Sequence, residues 1–262
     1  MRVLVVEDGR KIADFIRGGL IALGLVSVLA VMLVACGGSG GKKTPAPAAS
    51  PTDEGTPATG LNPADFQASV DNPFFPLSSL GLTVFEGQEP TDAGEVVQVR
   101  LETTVLPDTD VVAGIEVTVV EDKAFEDGEL VESTLDYYAQ HKDGAVYYLG
   151  ERVDDYENGE IVGHGGQWLA GEGDNQPGIF MPAEPKLGDE FEQERAPGLA
   201  EDRSKVIAVD QSVTTPAGTF TGCIKTEDFN PLDNLTEFKY YCPNVGFVRE
   251  DVEDGQIDLI SY

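Results

Sequence analysis

The chain has 262 residues, with 17 Lys and Arg against 47 Asp and Glu, a formal charge of −30. That balance excludes nucleic acid and anionic bilayer surfaces as partners, since both need a basic footprint. The acids are spread along the whole chain, the pattern of a well-solvated surface rather than of an acidic tail.

The first segment, MRVLVVEDGRKIADFIRGGL over residues 1–20, resembles the opening strand and first helix of a response-regulator receiver domain. Glu7 and Asp8 fall where that family keeps its Mg²⁺-binding acidic pair. The likeness stops at Leu20, and the family's phospho-accepting Asp has no counterpart in the rest of the chain. The segment is therefore read as a passive leader without phosphorelay function.

From Leu20 to Ala35 the chain is uncharged and apolar for sixteen residues. That is the length of a signal-peptide apolar region and short for a spanning helix. Arg2, Arg10, Lys11 and Arg17 precede it and no charge occurs after it until Lys42, so the downstream chain is sent outward. Leu33-Val34-Ala35-Cys36 closes the run and resembles the lipobox of bacterial lipoprotein signal peptides. The resemblance implies cleavage before Cys36, lipid on that cysteine and attachment to a membrane. An uncleaved signal anchor is the alternative, and it too puts the main domain outside the cytoplasm. Beyond residue 35 the chain holds 13 basic and 44 acidic residues, a net charge of −31.

Residues 36–62 are dominated by Gly, Pro, Ser, Thr and Ala, and cannot bury a core. As a flexible tether they would hold the remainder about 30 Å from the membrane. Residues 63–262 then form one domain. Asn62-Pro63 is placed to cap a short helix running to Val70, with Asn at the N-cap and Pro at the first helical position. Everything later reads as strand and turn. Val97, Val99 and Leu101 alternate with Gln98, Arg100 and Glu102, and Asp-Gly or Asn-Gly pairs recur at residues 127, 143, 158 and 254 as hairpin turns.

The spacing predicts about ten or eleven strands in up-and-down order and no long amphipathic helix. The fold class is therefore all-β: an antiparallel meander forming a strongly curved sheet or half-open barrel. One face of each strand is expected to be packed and the other wet. Residues 171–187, with three prolines, are expected to form an irregular crossing that caps the open side.

Apart from Cys36 only Cys223 and Cys242 remain, and two cysteines in an exported domain favour a disulfide over a metal pair. They lie on runs 219–229 and 235–242, which fold back about Asn230-Pro231-Leu232-Asp233-Asn234 and bring the two positions opposite each other. The aromatic pairs at 137–138, 147–148 and 240–241 each place one ring on either face of a strand. Their structural reading is cross-strand packing. Their functional reading is an aromatic platform on the concave face, with Tyr138, Tyr147, Trp168, Phe180 and Tyr240 as candidate ligand-binding residues.

His141 and His164 match no recognised metal spacing, and the acidic run 154–159 fails the EF-hand pattern. No nucleophile elbow, zinc-protease helix or phosphate loop occurs. The expectations are no cofactor, no metal, no catalytic residues and no enzyme activity.

Four stretches, Asp71–Leu77, Tyr138–Gln140 with Val146–Glu151, Pro177–Ala183 and Lys239–Gly246, resemble a group of uncharacterised bacterial envelope lipoproteins. The meander also resembles the half-barrel of lipoprotein-carrier proteins, a likeness of fold that implies no lipid carriage. The resulting expectation is a monomeric, membrane-anchored extracytoplasmic binding or interaction module for an apolar, carbohydrate or protein ligand. The alternatives are a structural envelope protein without a small-molecule ligand and an unrecognised hydrolase.

Overall fold

The computed structural model describes residues 59–90, 95–252 and 255–262. The leader, the signal peptide, Cys36 and the tether as far as residue 58 lie outside the described residues.

Asn62 caps the first turn as its neighbours suggest: its side chain accepts from the Ala64 N–H at 3.2 Å. The helix expected through Val70 is cut to one 3₁₀ turn, Pro63–Asp65. The chain instead extends as β1 (Phe66–Gln67), which pairs with His141 and Gln140, and the Phe66 ring packs on His141 and Tyr147. Strand pairing and ring burial outweigh the weak helix propensity of eight residues.

A second 3₁₀ turn, Leu77–Ser79, leads into a run of hairpins. These are β2 (Leu82–Pro90), β3 (Val96–Val112), β4 (Ile115–Glu126), β5 (Glu129–His141) and β6 (Val146–Glu157). Five short strands come next: β7 (Glu160–Gly163), β8 (Trp168–Leu169), β9 (Gln176–Met181), β10 (Glu190–Glu192) and β11 (Glu194–Arg195). A second meander completes the chain with β12 (Arg203–Thr215), β13 (Gly218–Asn230), β14 (Leu235–Cys242), β15 (Gly246–Val252) and β16 (Gly255–Ser261).

Thirteen strands make one antiparallel wall in the order β10-β12-β13-β14-β15-β16-β2-β3-β4-β5-β6-β9-β11. Its two ends are sequence neighbours, because only Gln193 separates β10 from β11. The N–H groups of Gln193 and Glu194 both donate to the Asp202 carbonyl, at 2.9 and 3.2 Å, and Gln193 Nε2 donates to the Phe180 carbonyl at 3.4 Å. The wall is thereby a nearly closed barrel, further closed than a curved sheet. Residues 171–187 are correspondingly more regular than expected. They contain β9, which is part of the wall, with Pro177 near its start, where a missing N–H is tolerated.

The turn pairs Asp127-Gly128 (φ 47° and 88°) and Asn158-Gly159 (φ 52° and 78°) take the left-handed conformations that tight hairpins require. Ala113-Gly114 does the same at 51° and 82°, a turn the sequence did not announce because Ala rarely adopts positive φ.

The Cys223–Cys242 disulfide is present, with Cα atoms 4.1 Å apart, one register step from the Ile224–Tyr241 pair. The chain-entropy model assigns a loop of that size about 3 kcal/mol. Reduction is therefore expected to lower the melting temperature by several degrees, and superimposable melts with and without dithiothreitol would contradict the assignment.

Candidate functional site

Every second residue of β5 faces the barrel interior, and in this strand those residues are Glu132, Thr134, Asp136, Tyr138 and Gln140, all buried. Register carries the same face across the neighbouring strands. Asp122 sits opposite Thr134, Thr103 opposite Asp122 and Thr83 opposite Thr103. On the far side Lys239 lies between Glu250 and Thr226. The packed face expected from alternation is thus polar over much of its length. An apolar/polar count along one strand does not reveal this, because closure of the wall buries both kinds of residue.

At one end of the barrel the interior is lined by rings. Tyr138 and Tyr148 face each other across β5 and β6, stacked with centroids 4.9 Å apart, and Phe180 meets Tyr138 edge-on at 5.0 Å. The segment before β2 covers this end. Asp71 and Asn72 donate their N–H groups to Gln140 Oε1 at 2.8 and 3.0 Å. Asn72 Nδ2 donates to the carbonyls of Gly144 and Pro182, and the Asn244 N–H donates to the Pro73 carbonyl. So fixed, Phe75 packs on Phe180 at 4.5 Å and on Tyr138 at 5.0 Å.

Between cover and wall lies a cavity of about 130 Å³, bounded by Phe75, Phe180, Phe247 and Tyr138 on the apolar side and by Asp122, Asp136, Lys239 and Glu250 on the polar side. A space of this order holds one six-membered ring. The stretches Asp71–Leu77, Val146–Glu151, Pro177–Ala183 and Lys239–Gly246 all contribute to its lining, through Phe75, Tyr148, Phe180 and Tyr241 among others.

Of the candidate ligand-binding residues, Tyr138 and Phe180 line the cavity. Trp168 stands behind it, buried and edge-on to Tyr148 at 5.5 Å. Tyr147 sits with Phe66 and His141 away from the cavity. Tyr240 lies under the Lys225 ammonium and donates to Asp251 at 3.0 Å, likewise away from the cavity. The rings that do face inward are their neighbours Tyr148 and Tyr241. Folding about Asp143-Gly144 as a two-residue turn would set position 148 against 139, one step from the observed partner Tyr138, so the sequence carried no signal that selects Tyr148 over Tyr147. The interior acids carried no such signal among so many carboxylates.

The two polar walls differ electrostatically. Burial raises Asp136 well above the usual carboxylate range, and the Asp122 charge adds to the effect. Burial raises Asp122 to about 6, with hydrogen bonds from Thr103 and Asp136 acting in the opposite sense. Two adjacent carboxyls of this kind share a proton, held by Asp136 and offered to Asp122. The Tyr148 hydroxyl also donates to Asp136 Oδ1.

On the opposite wall Lys239 Nζ lies 3.4 Å from Glu237 Oε2 and 3.6 Å from Asp228 Oδ2. Burial disfavours its charge, but Glu250, Glu237 and Asp228 outweigh that and hold the ammonium well above the ordinary lysine value. Glu250 is itself raised by burial and then by the charge on Glu237.

His141 pairs with Asp143 at 2.9 Å, and His164 Nδ1 lies 2.8 Å from the Val153 carbonyl and 2.9 Å from Asp154. Among the described residues no group of three His, Cys, Asp or Glu side chains is arranged to hold a metal ion.

No family model matches the chain, and no curated protein does. Among solved structures the chain is similar to one described as a "putative lipoprotein" from Parabacteroides distasonis ATCC 8503. The identity is 16%, the TM-score is 0.36, and the likeness covers 72% of this chain and 97% of that one.

Proposed function

We propose that the chain is an extracytoplasmic binding protein, tethered to a membrane through lipid on Cys36, whose barrel takes the ring or short apolar part of a small ligand into its interior cavity. The observation that carries this reading is the cavity itself, walled by rings on one side and by buried ionisable groups on the other. Concave apolar spaces with a few convergent polar groups are the usual form of small-ligand sites. The lipobox-like Leu33–Cys36 supplies the anchor in this reading, and the Cys223–Cys242 disulfide fits an oxidising compartment. The protein neither needs nor carries out a chemical step in this role, and it works as a monomer.

Native mass spectrometry of the full-length protein, extracted from its own membranes in mild detergent, tests both parts. A mass increment localised to Cys36 and a co-purifying small molecule are expected. Phe180→Trp, which extends a larger ring into the cavity, should lose the small molecule and keep the increment. An unprocessed amino terminus would overturn the anchor. Wild-type protein that emerges empty and binds no small ring compound would instead favour a structural envelope role.

A further inference from the structure

The cavity's polar side is unevenly supplied with counter-charge. Lys239 is already surrounded by Asp228, Glu237 and Glu250, so an anionic ligand group would meet three carboxylates around the single ammonium. On the opposite wall Asp136 and Asp122 act on each other, and the leading charges added to them are also acids, Glu132 and Glu121. Two further observations point inward. Glu250 is fully buried and lines the cavity, and among the described residues its oxygens accept from no N–H or hydroxyl group, their neighbour being the Glu237 carboxyl. Asp136, only 2% exposed, accepts from Tyr148 with Oδ1 and lies beside the Asp122 carboxyl. The adjoining rings Tyr138, Tyr148 and Phe180 offer π faces and edges to whatever lies between.

On the reading that the cavity binds a small ligand, we propose that the ligand is a protonated amine on a body about the size of one ring, its ammonium seated between Asp136 with Asp122 and the carboxyl of Glu250. A neutral hydroxyl compound would satisfy fewer of these acceptors, and a carboxylate would be repelled by them. The rings favour the same sign of charge through cation–π attraction. Binding of a cation draws the shared proton off the Asp122–Asp136 pair and releases it to solvent, so affinity rises with pH. Glu121 from β4, Glu132 from β5 and Tyr148 from β6 act on that pair directly, Glu151 from β6 and Glu194 from β11 act on the tyrosines beside it, and Lys239, Glu250 and Tyr241 line the cavity from the far wall. The carboxyls among them act in the same direction, since each favours a bound cation once ionised.

Calorimetric titration of the full-length protein in detergent with benzylamine, benzyl alcohol and benzoate, which share a ring and differ in charge, decides the matter. Benzylamine should bind about tenfold tighter near pH 8 than near pH 5, with a heat that varies with the ionisation enthalpy of the buffer. Benzyl alcohol should bind about tenfold more weakly than benzylamine, and benzoate should give no signal. Asp136→Asn, which keeps the acceptor for Tyr148, should reduce benzylamine to the level of benzyl alcohol. Equal binding of benzylamine and benzyl alcohol, without buffer dependence, would overturn the amine and leave the cavity as a ring site. Tighter binding of benzoate would assign the site to Lys239 instead. Binding of none of the three to the wild-type protein would overturn the cavity reading itself. The wild-type series gives these answers even should the variant fold poorly.

Discussion

Lys239→Met is expected to cost about 3–5 kcal/mol of stability near pH 8, the range found when one partner of a buried ion pair is removed. Lys239 is 6% exposed and its ammonium holds Asp228, Glu237 and Glu250 together, so its loss leaves carboxylates facing one another without water. Those acids then stay protonated to higher pH. A carboxyl whose folded pKa is raised contributes stability that is complete below its unfolded value near 4 and is lost as pH rises through its folded value. Asp228 and Glu250 already stand on that side in the wild type. The deficit of the variant should therefore shrink as pH falls from about 8 towards about 5. The lysine itself stays charged throughout and adds no slope. Urea midpoints for both proteins at several pH values provide the check, and a pH-independent deficit below about 1 kcal/mol would show that Lys239 is solvated rather than built into an ionic interior.

The second large effect concerns the point where the barrel closes. Gly178 lies in β9 against the link between β10 and β11, and a Cβ at this position would stand 1.9 Å from the Gln193 carbonyl oxygen and 2.3 Å from its carbonyl carbon. Both are backbone atoms, so no rotamer change relieves the overlap. Gly178→Ala must push β9 away from Gln193, at a cost of about 3 kcal/mol or more, at or above the usual range for overpacking. The damage should be local at first. Amide exchange should accelerate at Gln193 and Glu194, whose N–H groups bond the Asp202 carbonyl, before it does so in β3 or β13. Unchanged protection at those two amides would mean that the ends of the wall do not depend on this contact.

The parts of this molecule legible in its sequence are those governed by local rules. Asp127-Gly128 and Asn158-Gly159 specify tight turns because both residues tolerate positive φ, and the alternation of Val97, Val99 and Leu101 marks a strand whatever its neighbours. The Cys223–Cys242 hairpin was readable because the two cysteines are only 19 residues apart with a single turn between them. The features that stayed hidden depend on partners distant in sequence. Phe66 and Gln67 leave the helical turn only because β5 is there to pair with them. Acids such as Asp136 and Glu250 look like surface residues until the wall closes around them. Which member of the 147–148 and 240–241 pairs faces inward is set by irregularities in register, between Asp136 and Tyr138 opposite β6 and between Tyr240 and Tyr241 opposite β15. A shift of one residue exchanges the two faces, and periodicity cannot place it in advance.

The contact between β16 and β2 joins Gln256 to Gln88, while eight of the other eleven seams of the wall join strands that are consecutive in the chain. Each meander can zip hairpin by hairpin at small entropic expense, whereas this junction has to gather the whole domain into a single loop. The two arcs should accordingly assemble early and independently, and the union of first and last strands should govern the refolding rate.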